Sequence, residues 1–129
     1  MFEAKAAFGG VSVDDLSKAK QFYTQTLGLE LEDETMGLQL KLPGGGSLFI
    51  YDKADHVPAT FTFLNFVVEN IDEEVDALSK SGVTFEQYDN IPGGQDEKGI
   101  ARGLDANHGP DIAWFKDPAG NILAVLQDK

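Results

Sequence analysis

Residues 112–127 read I-A-W-F-K-D-P-A-G-N-I-L-A-V-L-Q, two apolar, β-rich runs on either side of Asp117-Pro118-Ala119-Gly120. Pro118 presets φ for the first corner of a tight turn, Asp117 bonds back to the turn backbone, and Gly120 tolerates positive φ. Proline has no N–H to give a ladder, so no strand runs through it. The stretch is therefore a β-hairpin, and almost every residue on its arms calls for burial. Helices are expected on one face of its sheet. What lies against the other face is the functional question.

The chain leading to this hairpin is written twice. In the first half, residues 6–13 read as a strand, and Asp14 or Asp15 caps a helix. Leu16, Ala19, Phe22, Tyr23 and Leu27 fall at helical spacing, and Gly28 ends the element. Strands follow at 29–34, 36–42 and 47–52, with a Pro43-Gly44-Gly45-Gly46 turn before the last. In the second half, 59–68 is a long β-rich run. Asn70 caps a helix, with Glu73 at capping-box spacing. Ile71, Val75 and Leu78 share one face of that helix, and Gly82 closes it. Residues 83–88 read as a strand, 89–110 as a long loop with five glycines, and the hairpin completes the set. V-D-D-L opens the first helix and V-E-N-I the second. Self-similarity on this scale means one supersecondary unit used twice. The reading is α+β: a single domain over 1–129, built from a βαβββ module at 5–52, a linker at 53–58 and a second module at 59–127. Neither module of about 60 residues would bury enough surface alone. A short joint of this kind also lets modules swap between two chains.

Composition narrows the function classes. Of 129 residues, 42% are hydrophobic, enough for a core. No apolar run approaches the ~20 residues of a membrane span, and no signal-peptide pattern opens the chain, so a cytoplasmic location is expected. There is no cysteine, which removes disulfides, zinc–thiolate sites and a cysteine nucleophile. Twenty-two acidic residues against ten basic ones give a formal charge of −12, and Arg102 is the one arginine. Phosphate contacts need clustered Lys and Arg, so nucleic acid is not an expected partner. Such a field attracts cations and repels anions, besides keeping the chain soluble.

V-x-V-D-D-L-x-x-A-x-x-F-Y-x-x-x-L-G at 11–28 and W-F-K-D-P-A-G-N-I-L at 114–123 resemble the vicinal oxygen chelate superfamily, which holds glyoxalase I, extradiol dioxygenases, fosfomycin-resistance enzymes and bleomycin-resistance proteins. The resemblance spans nearly the whole chain. It implies two βαβββ modules whose sheets form an incomplete eight-stranded barrel around a ligand cavity, and, by analogy, a homodimer. It does not fix a reaction, because function lives in the site.

The resemblance also implies where a metal would be held. Metal-dependent members use His or Glu from four strands; in this chain the corresponding positions carry Phe8, a residue of 47–51 that is neither His nor Glu, Phe63 and Ala124. Phenyl rings and a methyl have no lone pairs for a divalent ion. Neither a metal nor another cofactor is therefore expected. The two histidines, His56 and His108, fall in the linker and the long loop and read as solvated.

Residues two apart on a strand share a face. With Phe8 and Phe63 turned inward, the cavity candidates are Phe8, Ser12, Phe49, Tyr51, Phe61, Phe63, Asn65, Ala124 and either Trp114 or Phe115. The choice between Trp114 and Phe115 rests on whether the turn carries a bulge. Apolar walls with sparse polar fixtures are how small-molecule pockets are built. The loop at 89–110 is long enough for a lid, with Arg102 and His108 its distinctive side chains; an arginine there serves a ligand carboxylate or, more commonly, a surface acid. Ser12 has no histidine at a predictable distance, so no nucleophile–base pair is expected. The expected function is metal-free binding of an aromatic or cationic small molecule. The alternatives are a glyoxalase-like lyase or isomerase, or a dioxygenase, with metal ligands not yet identified, and an interaction or stress-response protein with a filled barrel.

Overall fold

The computed structural model describes residues 1–129, which form two compact units, Met1–Pro58 and Ala59–Lys129. In the first unit, β1 (Gly9–Val13) leads into α1 (Leu16–Gln21) and then into β2 (Leu31–Glu34), β3 (Gly37–Lys41) and β4 (Ser47–Asp52). The sheet order is β1-β4-β3-β2, with β1 parallel to β4 and the other pairs antiparallel. In the second unit, β5 (Thr62–Val67) precedes α2 (Ile71–Lys80), β6 (Ala101–Arg102), β7 (Asp111–Lys116) and β8 (Ile122–Gln127). Its order, β5-β8-β7-β6, is the same topology, with β5 parallel to β8. The textual repeat is thus a structural one. No helix is long and apolar enough to cross a membrane.

The two helices start by the same device. Asp15 accepts the Lys18 N–H at 3.1 Å, and Asn70 accepts the Glu73 N–H at 3.1 Å. Each satisfies a donor that the first helical turn leaves without a partner. The helices end differently. After Gln21 the first widens into a single π-helical turn, Phe22–Thr26, where the text predicts uninterrupted helix to Leu27. Thr24 Oγ1 donates to Lys20 O at 2.6 Å, competing for the carbonyl that its own N–H would use in an α-helix, and Leu27 N instead reaches back to Phe22 O at 3.0 Å.

Each sheet has one buried face. In the first unit Val13, Leu38, Leu40, Leu48 and Ile50 are buried, as are Ala19 and Tyr23 from the helical segment. In the second, Ala113, Phe115, Leu123 and Val125 are buried, as are Ile71 and Val75 of α2. A Leu or Ile of this kind contributes roughly 1.5–3 kcal/mol by leaving water.

The hairpin joining β7 and β8 forms as read. Asp117 Oδ1 accepts the N–H groups of Ala119 and Asn121, both at 2.9 Å, and Asn121 Nδ2 donates to Asp117 Oδ2 at 3.1 Å. Gly120 takes φ 86°. The ladder runs without a bulge from Asp111↔Gln127 to Lys116↔Ile122.

The stretch 83–88 corrects the expectation of a strand. It makes only an isolated bridge, Phe85 with Phe115. The Gln95 side chain takes the place of a neighbouring strand there: its amide donates to Glu86 O at 2.9 Å and its carbonyl accepts the Tyr88 N–H at 2.8 Å. The edge strand is instead β6, inside what reads as loop, pairing Ala101 with Ile112 and Arg102 with Asp111.

Candidate functional site

The first sheet's second face is open and aromatic. Register places Gly10 beside Phe49 and Ser12 beside Tyr51, with Gln39 on the far side of Phe49. The Phe49 and Tyr51 rings stack with centroids 6.0 Å apart and an interplanar angle of 18°. Phe8, Glu34, Thr35, Met36, Gln39 and Phe49 line a recess of about 330 Å³. Phe8 and Met36 are 69% and 77% exposed, large apolar side chains held in water. Gly37 lets the strands close beneath them: a Cβ there would lie 2.3 Å from Ile50 O and 3.0 Å from Phe49 Cζ.

Charge in this unit is distributed unevenly. Lys41 pairs with Glu32 at 3.1 Å, and that hydrogen bond holds the Lys41 ammonium above its ordinary pKa. Lys20 pairs with Asp33 at 3.0 Å. Glu34, which lines the recess, enters no salt bridge.

At the other end of the face, Ser12 Oγ lies 2.7 Å from His56 Nδ1. This corrects two expectations. His56 is half-buried and engaged rather than solvated, and Ser12 does have a histidine beside it. The linker explains why: Lys53 N donates to Val13 O and His56 N to Lys53 O, both at 3.0 Å, folding the chain back over the end of β1.

In the second unit Asn65, Ala124 and Trp114 form one row across the open face of the sheet. Tyr88 stands edge-on to Trp114 with ring centroids 5.6 Å apart. Its hydroxyl is buried without a hydrogen-bond partner, and burial raises the phenol's pKa. Phe115, the alternative to Trp114, is fully buried and packs edge-on against Phe85 at 5.7 Å, so of the two it is Trp114 that shares the face of Ala124. Phe61 precedes β5 and is 67% exposed, while Phe63 sits where the β5 register shifts. Ala124 itself is fully buried.

The long loop is fastened to α2. Arg102 donates to both carboxylate oxygens of Asp72 at 2.9 and 2.8 Å, and to Asp96 Oδ2 at 3.1 and 3.0 Å. Lys98 reaches Asp72 and Asp76 at 3.3 and 3.1 Å. The hydrogen bonds from Arg102, with Lys98, hold the Asp72 carboxyl at about pKa 2, against the desolvation that opposes them. The same contacts raise the Arg102 pKa, Asp72 first. Arg102 thus serves surface acids, while His108 is exposed beside it on the loop.

The residues at the four metal positions do not fit a divalent centre. Phe8, Phe63 and Ala124 offer no donor, and the open-face residues of β4 are Ser47, Phe49 and Tyr51, none an imidazole or carboxylate. No three His, Cys, Asp or Glu residues gather closely enough to hold a metal ion.

The chain belongs to the Glyoxalase/Bleomycin resistance protein/Dioxygenase superfamily, whose model it matches over residues 6–125. No curated protein matches the sequence. Among solved structures, it is similar to an antibiotic-binding protein from Streptomyces sp. CB03234, at 25% identity and TM-score 0.66, covering 99% of this chain and 100% of that one. It is also similar to the genomically encoded fosfomycin resistance protein of Listeria monocytogenes, at 14% identity and TM-score 0.68, covering 99% and 96%. A third is the lactoylglutathione lyase of Agrobacterium tumefaciens, at 22% identity and TM-score 0.62, covering 97% and 95%. The latter two likenesses speak to the glyoxalase fold alone. Glu34, Thr35, Met36, Gln39, His56 and Tyr88 escape a reading by strand parity. Glu34 ends β2 and Thr35 and Met36 form the β2–β3 turn, where side-chain direction does not follow strand parity, and the partners of the others are set by tertiary contact.

Proposed function

We propose that this protein binds a flat aromatic cation on the open face of its first sheet, without a metal. The observation that carries the reading is the recess walled by Phe8, Met36 and Phe49 and rimmed by the uncompensated carboxylate of Glu34. Aromatic faces attract cations through the ring quadrupole, and a carboxylate supplies the complementary charge. Thr35 and Gln39 supply the sparse polar fixtures that orient a ligand. The likeness to an antibiotic-binding protein supports a binding role, and the donor-free metal positions favour it over metal-assisted catalysis.

Calorimetric titration with proflavine, a flat aromatic cation, tests this. Binding is expected in the micromolar range, weakened about tenfold or more by Phe49→Ala and by Glu34→Gln, each contact being worth roughly 1–2 kcal/mol. No binding below about 1 mM, or binding indifferent to both substitutions, overturns the reading. Quenching of Trp114 without any effect of Phe49→Ala would move the site to the second sheet.

A further inference from the structure

The Ser12–His56 contact is absorbed neither by the binding reading nor by the family's metal chemistry. We propose that Ser12 and His56 are a nucleophile–base pair that cleaves carboxylic esters whose aromatic part lies against Phe49 and Tyr51. Three observations carry this. The Oγ–Nδ1 separation of 2.7 Å is within the range in which an imidazole takes a hydroxyl proton. The pair joins residues 44 apart in sequence, and two successive backbone hydrogen bonds, Lys53 N to Val13 O and His56 N to Lys53 O, hold the histidine over the strand. Finally, Ser12 is followed along its face by Gly10, which has no side chain. An added Cβ there would be in ordinary contact with Tyr51 Cε1 at 3.8 Å and Phe49 O at 3.9 Å, so Gly10 puts no side chain between the hydroxyl and the Tyr51 ring, which stacks on Phe49.

The chemistry closes with water as the one co-reactant. Ser12 Oγ attacks the ester carbonyl carbon while its proton passes to His56 Nδ1. The bond from carbonyl carbon to the leaving oxygen breaks, and that oxygen takes the proton from Nδ1 and departs as the alcohol. A water molecule then gives a proton to Nδ1 and attacks the acyl carbon. The acyl–Oγ bond breaks, Oγ recovers the proton, and the carboxylic acid leaves. No electron is gained or lost.

The test uses the full chain with 4-nitrophenyl acetate and with an alkyl fluorophosphonate, followed by intact-mass measurement and peptide mapping. The expected result is a burst of 4-nitrophenolate and a fluorophosphonate adduct on the peptide bearing Ser12. Ser12→Ala abolishes the adduct, and His56→Gln slows its formation about 100-fold or more. Ser12→Cys, acylated by the same acetate, restores a burst and guards against a fold defect in the alanine variant. Circular dichroism is recorded for every variant. A folded protein without an adduct at Ser12, or an adduct formed equally fast in His56→Gln, overturns the proposal and leaves the contact as a tie between linker and strand. Proflavine binding does not depend on Ser12, so failure here and failure of the binding reading are separate results.

Discussion

Replacing Arg102 by alanine removes the one cation that three carboxylates share. Four hydrogen bonds of 2.8–3.1 Å to Asp72 and Asp96 go with it, as does the 3.8 Å approach to Asp111. An exposed ion pair contributes about 0.2–1 kcal/mol, and a charge-assisted hydrogen bond in a dry site about 1.5–3. The Arg102 side chain is 35% exposed, Asp96 23% and Asp72 46%, so this clamp lies between those limits. We expect a loss of roughly 2 kcal/mol near neutral pH, which in a domain of this size lowers Tm by roughly 7 °C. Acid supplies a second signature. The folded-state pKa of Asp72 is depressed from 3.8 to about 2, chiefly by the Arg102 hydrogen bonds. A depressed carboxylate contributes stability that is fully present above its unfolded pKa and is lost as pH falls through its folded one. The gap between wild type and Arg102→Ala should therefore be constant from neutral pH down to about 4 and shrink between about 4 and 2. Because Asp72 is half exposed, that titrating part is on the order of 1 kcal/mol. Differential scanning calorimetry across this range reads both effects. A neutral-pH loss below about 0.5 kcal/mol would refute the clamp, and a gap that stays constant into acid would refute its assignment to Asp72.

Two further substitutions test the parts that position the faces. Asp117→Ala removes the acceptor of the half-buried Ala119 N–H, of the buried Asn121 N–H and of the Asn121 Nδ2 bond, for a loss of about 3 kcal/mol in urea unfolding; a loss under about 1 kcal/mol would contradict that account. Gly37→Ala puts a methyl 2.3 Å from Ile50 O and against Phe49, so it should cost about 2–3 kcal/mol and weaken proflavine binding together, and wild-type stability would show that the strands part freely.

What was legible in the text was whatever is settled over a few residues. Asp15 and Asn70 announce helix starts because a capping side chain reaches only three residues on. Asp117-Pro118-Ala119-Gly120 announces its turn for the same reason. The two helices and seven of the eight strands follow from such signals and from period, with ends shifted by a few residues, as at β1 and β5. What failed depended on a distant partner. Residues 83–88 have strand-like composition, but the Gln95 amide occupies their backbone groups and a strand forms at Ala101–Arg102 instead. His56 reads as a loop histidine because nothing within the linker reveals that Lys53 is bonded to Val13. Trp114 and Phe115 were indistinguishable until the ladder register fixed which one faces Ala124.

The same distinction decides which open face carries the stronger case for a ligand. Both sheets present aromatic rings, and by composition they are equivalent. Their charges are not. Lys20 is paired with Asp33 and Lys41 with Glu32, no lysine lines the first recess, and Glu34, which does line it, enters no salt bridge. On the second sheet Trp114 is bordered by Asn65, Ala124 and Tyr88, and Lys116 at the strand end is itself paired with Glu86 at 3.4 Å. A cation approaching a chain of formal charge −12 is attracted from every direction, but long-range attraction alone selects no site. Selection requires a local charge without a partner next to a surface that a ring can cover. In the first unit, Glu34 beside Phe8, Met36 and Phe49 meets that condition.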